Sequence, residues 1–293
     1  MNYDDIPQLF TSFVDITLFR LSENSGPGQA RQYGLDHSDT EYVMFLDAGD
    51  VLSFPTHFIQ LMDLVLRHPD IKVFSCGREG ISDTRQIGYV GPAHNKIHGK
   101  IYRLDFLKNY NIRFISDHYY SEDIGFNLAC RLVCAELERR KNETQLFEFP
   151  KPITTELFDG NSITRKNNGE FKYTENYGLG YNLVHALEIA LSNGVHPSII
   201  EVYGYENLIC QYIFFYEAYT HQKGLEKSLE GCRYWYRNFK YCIPKFNEQL
   251  LTKVYNDMMK KLYAEDVEYA FNTTIPKLSF WDFINLLEKE DKE

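Results

Sequence analysis

The stretch Glu41-Tyr-Val-Met-Phe-Leu-Asp-Ala-Gly-Asp50 constrains this chain more than any other. Tyr42 to Leu46 is a short apolar run with β-branched and aromatic members. Such a run predicts a strand buried on both faces of a mostly parallel sheet. It ends at Asp47 and Asp50, with Ala48 and Gly49 between them. Carboxylates at the carboxyl end of a buried strand stand where open α/β sheets bind ligands. Gly49 lets the backbone bend so that both face one point. Two hard oxygen ligands on a turn suit Mg²⁺ or Mn²⁺ and the phosphates such ions carry. A polar strand end, with Asp50 capping the next helix, is the alternative. These residues alone do not separate the two.

A chain of 293 residues is long enough for one large domain or two ordinary ones. The formal net charge of −10 argues against nucleic acid and anionic membrane surfaces as broad partners. No apolar run reaches bilayer length and the N-terminus shows no signal-peptide pattern, so a cytoplasmic protein is expected. Cys76, Cys130, Cys134, Cys210, Cys232 and Cys242 follow no disulfide framework, which predicts reduced thiols. Cys130 and Cys134 share a helix face and read as a metal pair or as small buried side chains.

Taken in order, Met1 to Phe13 reads as the end of a helix and Val14 to Leu21 as a strand. Gly26, Pro27 and Gly28 predict a turn, with a helix over Gln29 to His37 and Arg31 in its first turn. Backbone N–H groups at such a helix start suit an anion. Pro55 to Arg67 reads as an amphipathic helix and Ile71 to Cys76 as a strand, followed by a long loop over Gly77 to Lys96. Then come His98-Gly-Lys-Ile-Tyr-Arg103, a short helix at Asp105 to Tyr110 and a brief strand at Ile112 to Ile115. Glu122 and Asp123 open a helix that runs to about Arg140, where they either do chemistry or serve the helix dipole behind an N-cap at Ser121. A strand at Leu146 to Phe149 and a polar loop at Asp159 to Gly169 complete the first half. Helical periodicity fills the rest: Leu183 to Leu191, Ile199 to Thr220, Leu225 to Tyr241, Asn247 to Leu262 and a last helix from Ser279. Two regions follow from this change of pattern, 1–165 and 166–293.

The order of these pieces resembles the family 2 glycosyltransferases of GT-A fold. Asn24-x-Gly-Pro-Gly-x-Ala-Arg31-Gln-Tyr-Gly34 is similar to that family's Asn-x-Gly-x-x-x-Ala-Arg-Asn-x-Gly segment. Tyr42 to Asp50 resembles the strand that carries its Asp-x-Asp motif, Gly99-Lys-Ile-Tyr-Arg103 its Lys-x-Tyr-Arg segment and Glu122-Asp123 its Glu-Asp motif. The resemblance covers roughly residues 15 to 165. It implies an α/β, GT-A-like (Rossmann-like), mostly parallel sheet followed by an all-helical region. It also implies inverting, metal-dependent transfer of a sugar from a nucleotide-sugar donor, a UDP-sugar first among them, to an acceptor hydroxyl.

On that resemblance Asp50 and Asp47 hold Mn²⁺ or Mg²⁺, and Arg31, Asp47, Lys100 and His98 bind the donor. Asp123 is the general base, with Glu122 beside it at the acceptor. Gly49 replaces the last carboxylate of the usual motif, which shifts the metal contact towards Asp50. The family's first strands, which hold base and ribose, have no counterpart here, so the sheet is expected to be N-terminally incomplete. Either a partner chain, self-association or an upstream segment completes it, or the protein is a donor-deficient relative of the family. Two rival readings remain: a non-catalytic or complementing subunit of a glycosyltransferase complex, and an enzyme acting on a nucleotide-sugar phosphate bond. Aromatic clusters such as Tyr234-Trp-Tyr236 read as core packing or as sugar-stacking surfaces.

Overall fold

The computed structural model describes residues 15–82, 86–90, 95–115, 121–158, 170–264 and 278–289. Among these residues the strands are β1 (Tyr42–Met44), β2 (Val51–Leu52), β3 (Val73–Ser82), β4 (Gln86–Val90), β5 (Lys100–Arg103) and β6 (Leu146–Phe158). They form one sheet in the order β1-β5-β3-β6-β2, with β4 paired to β3 off that path. The helices are α1 (Gly26–Asp36), α2 (Pro55–Arg67), α3 (Leu104–Asn109), α4 (Glu122–Lys141), α5 (Glu170–Ser192), α6 (Pro197–His221), α7 (Leu225–Cys242), α8 (Glu248–Ala264) and α9 (Phe280–Glu288).

The molecule is layered. On one face of the sheet, Leu61 and Val65 of α2 pack on Phe74, Cys76, Ile101, Phe149 and Ile153. On the other face α4 covers Val73 and Tyr102, and the same core runs on without a break through α5, α6, α7 and α9. Helix α4 is therefore buried on nearly every side, which explains why it lacks a polar stripe. Glycines permit the closest crossings. A Cβ on Gly125 of α4 would sit 2.5 Å from the Asn182 carbonyl oxygen of α5, and one on Gly180 would sit 2.1 Å from that of Gly231 in α7.

The α/β architecture with an all-helical region after it agrees with expectation, and α2 spans the predicted residues. The sheet is mixed, however. Only the β3–β6 pairing is parallel among the described residues; β1–β5, β5–β3, β3–β4 and β2–β6 are antiparallel. Strand β5 runs back between β1 and β3, so among the described residues β1 is an edge strand rather than a central one; its half-buried side chains still pack on both faces, Tyr42 and Met44 against the α2 side and Val43 against the α4 side. An apolar run alone does not distinguish these positions.

Other boundaries differ for local reasons. Residues 15–21 form no strand and are mostly exposed. Gly26 to Gly28 are not a separate turn but the first turn of α1, where a proline without an N–H is tolerated. Ile112 to Ile115 is irregular chain anchored by the buried Ile112 and Phe114. Within the loop predicted over Gly77 to Lys96, residues 77–82 are instead the outer half of β3 and residues 86–90 form β4 against it; residues 83–85 and 91–94 lie outside the described residues. Strand β6 continues past Pro150 and Pro152 because the register slips there: Cys76 faces Phe149, Gly77 faces Pro152 and Arg78 faces Thr154. A bulge accommodates prolines that cannot donate to the ladder. The helix end expected at Met1 to Phe13 and the polar loop expected at Asp159 to Gly169 lie outside the described residues.

Candidate active site

Strand β1 delivers the site. Phe45, just after it, is held edge-on by Tyr102, Phe114 and Phe126. This anchors the point where the chain leaves the sheet. Gly49 then takes φ +101°, a left-handed conformation open to glycine, and the Asp50 N–H donates to the Asp47 carbonyl at 3.0 Å. The tight turn aims both carboxylates at His98. Its Nε2 lies 3.2 Å from Asp47 Oδ2 and 3.0 Å from Asp50 Oδ2. His98 is placed by Gly99, whose carbonyl accepts from the Cys76 N–H at 2.8 Å and whose φ is +68°.

Arg31 joins two motifs that are far apart in sequence. One guanidinium nitrogen, Nη2, donates to both oxygens of Asp47 at 2.7 and 2.8 Å, and Nη1 donates to Glu122 Oε1. The contact needs Gly28: a Cβ there would stand 3.1 Å from Glu122 Cγ. Glu122 and Asp123 form the first turn of α4. Ser121 sits at the N-cap position but makes no side-chain cap; the Asp123 carboxylate accepts from the Ile124 N–H of this first turn at 2.9 Å. A second link runs from β5, where the Tyr102 hydroxyl donates to Asn127 Oδ1 at 2.9 Å and Asn127 Nδ2 donates to the Asp123 carbonyl at 2.7 Å. The Lys-x-Tyr-Arg and Glu-Asp segments are thereby clamped together.

The electrostatics follow from this crowding. Burial raises Asp47, but the hydrogen bond from His98 and the charge of Arg31 outweigh it and hold this carboxyl well below the usual range. Burial lowers His98, yet its bonds to Asp47 and Asp50 prevail and push it up to about 9. Glu122 is pushed up by burial and by Asp123 beside it, with Arg31 opposing. Burial brings Lys100 down to about 7 against the pull of Asp123; its ammonium donates to the Lys96 carbonyl.

One atom each from Asp47, Asp50 and His98 lies within 4.8 Å of the others. Two carboxylate oxygens and an imidazole nitrogen suit Mn²⁺ or Mg²⁺ in donor chemistry. All seven residues singled out from the sequence therefore fall in one region at the end of β1, β5 and the start of α4. Cys130 and Cys134 are buried free thiols, both pushed up by burial, and read as core. Sequence reasoning missed Arg78 on β3 and Glu156 on β6, an ion pair at 2.9 Å next to His98. Arg78 lay in the stretch read as a loop, and Glu156 lay past the strand read over Leu146 to Phe149, so each was only an isolated charge.

Comparison with known proteins bears on this geometry. Residues 3–121 match the family model described as Glycosyl transferase family 2, a span that holds Arg31, Asp47, Asp50, His98 and Lys100 and stops just short of Glu122. No curated protein matches the chain. Among solved structures it is similar to S. aureus TarS. For TarS 1-349 in complex with UDP the TM-score is 0.45 at 15% identity, covering 94% of this chain and 82% of that one. For TarS 1-349 in complex with UDP-GlcNAc the TM-score is 0.45 at 14% identity, covering 83% and 80%. Against a longer TarS chain the TM-score is 0.43 at 17% identity; this chain covers 34% of it, about a third of its length.

Proposed function

From the glycosyl transferase family 2 match over residues 3–121, we propose that the chain moves a sugar from a nucleotide-sugar donor, a UDP-sugar first, to an acceptor hydroxyl with inversion at the anomeric carbon. The observation that supports this best is the Arg31 bridge, which ties the Asp47–Asp50–His98 cluster to the Glu122–Asp123 turn. A donor-binding half and an acceptor-activating half must face one anomeric carbon, and this bridge sets them side by side.

The cluster fits Mn²⁺ or Mg²⁺ on Asp50, Asp47 and His98, and such an ion would supply Lewis-acid neutralisation of the diphosphate leaving group. Arg31 and Lys100 add positive charge around the donor. Asp123 accepts the proton of the acceptor hydroxyl as that oxygen attacks the anomeric carbon. Glu122, held by Arg31, orients the acceptor beside it. Region 1–165 carries this chemistry, and region 166–293 backs α4 and frames the acceptor side. Among the described residues no helix is long and apolar enough to cross a membrane, and we place the reaction in the cytoplasm. The test is an assay of the purified chain with Mn²⁺, a panel of UDP-sugars and hydroxyl acceptors, following UDP release and the product anomer by NMR. An inverted product supports the reading; a retained anomer, or nucleotide monophosphate released from the donor without acceptor, removes it.

A second reading, a subunit that completes or is completed by another polypeptide, has its own observation. The outer edge of β1 pairs with no strand among the described residues. Beside it lies a groove of about 620 Å³ between β1 and α1, lined by Ala30, Arg31, Leu35, Val43 and Asp47 among others.

A further inference from the structure

Among the described residues, buried polar atoms that lack partners gather beside the site. On the two central strands these are Nε and Nη1 of Arg78, Oγ1 of Thr154 and Oε2 of Glu156, with Nδ1 of His98 close by. Arg78 and Thr154 oppose each other in register across β3 and β6, and Glu156 lies two residues further along β6. Arg78 Nε approaches Glu156 Oε2 to 2.9 Å, but not in line as a hydrogen bond, so the pair is held by charge with its donors unused. Thr154 is 1% exposed, and the Arg78 side chain is 13% exposed. Buried donors and acceptors left unmatched side by side call for a physical account, and an anionic ligand that accepts from Arg78 is one.

The location narrows the ligand. The Cys76 N–H bond to the Gly99 carbonyl sets β3 against the chain just after His98, so Arg78 stands two residues beyond that junction. Glu156 acts on the charge of His98, and Arg78 acts on that of Lys100. The ion pair thus borders the Asp47–Asp50–His98 cluster, where the Nη atoms of Arg31 are already taken by Asp47 and Glu122. A guanidinium with free edge donors is suited to bridging anionic oxygens.

We propose that Arg78, oriented by Glu156, is a donor-binding residue that grips the diphosphate of the nucleotide sugar from the β3 side. This rests on the nucleotide-sugar reading above. Diphosphate oxygens take up Nη1 and Nε, while Glu156 keeps the guanidinium turned towards the cluster and Arg31 remains with the carboxylates.

The test is calorimetric titration of the intact chain with UDP and with uridine, each with Mn²⁺, for wild type, Arg78→Lys, Arg78→Ala and Glu156→Gln, with thermal melting of each. UDP affinity is expected to fall about 10-fold or more in Arg78→Ala. It should fall less in Glu156→Gln, where the guanidinium remains but loses its orientation, and Arg78→Lys should restore part of the loss. Uridine affinity should not change in any variant. A wild type that binds UDP while Arg78→Ala binds it equally well overturns this inference alone and makes Arg78–Glu156 a structural pair. Equal losses for UDP and uridine in a melted Arg78→Ala overturn it too, unless the folded Arg78→Lys separates the two ligands. A wild type that binds no UDP overturns the donor reading, and the inference with it.

Discussion

Two forces oppose each other at His98. Burial disfavours the imidazolium, and Asp47 and Asp50 favour it more strongly, raising its pKa to about 9. A raised folded pKa gives stability that is fully present below the unfolded value and is lost as pH rises through the folded one. In metal-free protein, His98→Gln should therefore melt below wild type at pH 6, by on the order of 2 kcal/mol, with the gap closing above about pH 9. Melting curves in chelator across pH 6–10 check this, and a gap that persists at alkaline pH rules out the charge pairing as its cause. Asp50→Ala removes the better buried of the two carboxylates and should abolish Mn²⁺-dependent UDP binding; calorimetry showing unchanged affinity would remove the metal assignment. Asp123→Asn should keep UDP binding and lower turnover by about 10²-fold or more, the usual worth of a general base. Normal turnover in that variant would leave Asp123 as a first-turn residue of α4 and nothing else.

At the scale of elements, small residues decide how closely the helices cross. Gly180 meets the backbone of Gly231, so Gly180→Ala forces α5 away from α7. Overpacking of this kind typically costs about 1–3 kcal/mol. A Cβ on Gly34 of α1, by contrast, would meet nothing within 4 Å, so Gly34→Ala should be neutral or stabilising by up to about 1 kcal/mol through helix propensity. Chemical denaturation of both variants tests the contrast. Equal midpoints would mean the α5–α7 crossing can relax at little cost. Because α5 also packs on α4, a shift there is expected to loosen the Glu122–Asp123 turn as well.

For the whole molecule, the feature that matters is the edge of β1 that pairs with no strand among the described residues. Antiparallel pairing of Val43 with Tyr102, together with the Leu104 N–H donating to the Glu41 carbonyl, turns the alternate backbone groups of β1 outwards. An exposed edge next to a groove is a template for another strand. The expected outcome is that the chain associates with a second polypeptide, or a second copy, that adds a strand beside β1. Light scattering and native mass spectrometry of the isolated chain would decide it, and a stable monomer that binds UDP unaided would show that no added strand is needed.

The sequence by itself determined the α/β-then-helical order and the helix over Pro55 to Arg67, because periodicity is a local property, and the resemblance of its short motifs to a known family picked out the seven residues that gather at the candidate site. It also contained the reason for the Asp47–Asp50 turn, since Gly49 is the residue that a positive φ favours. Only the tertiary structure decided the rest. Whether β1 is central or at an edge depends on β5 inserting itself between β1 and β3, a pairing between segments about sixty residues apart. The second contact of Arg31, to Glu122, depends on Gly28 letting α1 approach α4, so that one guanidinium ties two carboxylates from distant segments together. Arg78 and Glu156 were invisible for the same reason: in sequence each is an isolated charge, and only the parallel register of β3 with β6 makes them neighbours of His98.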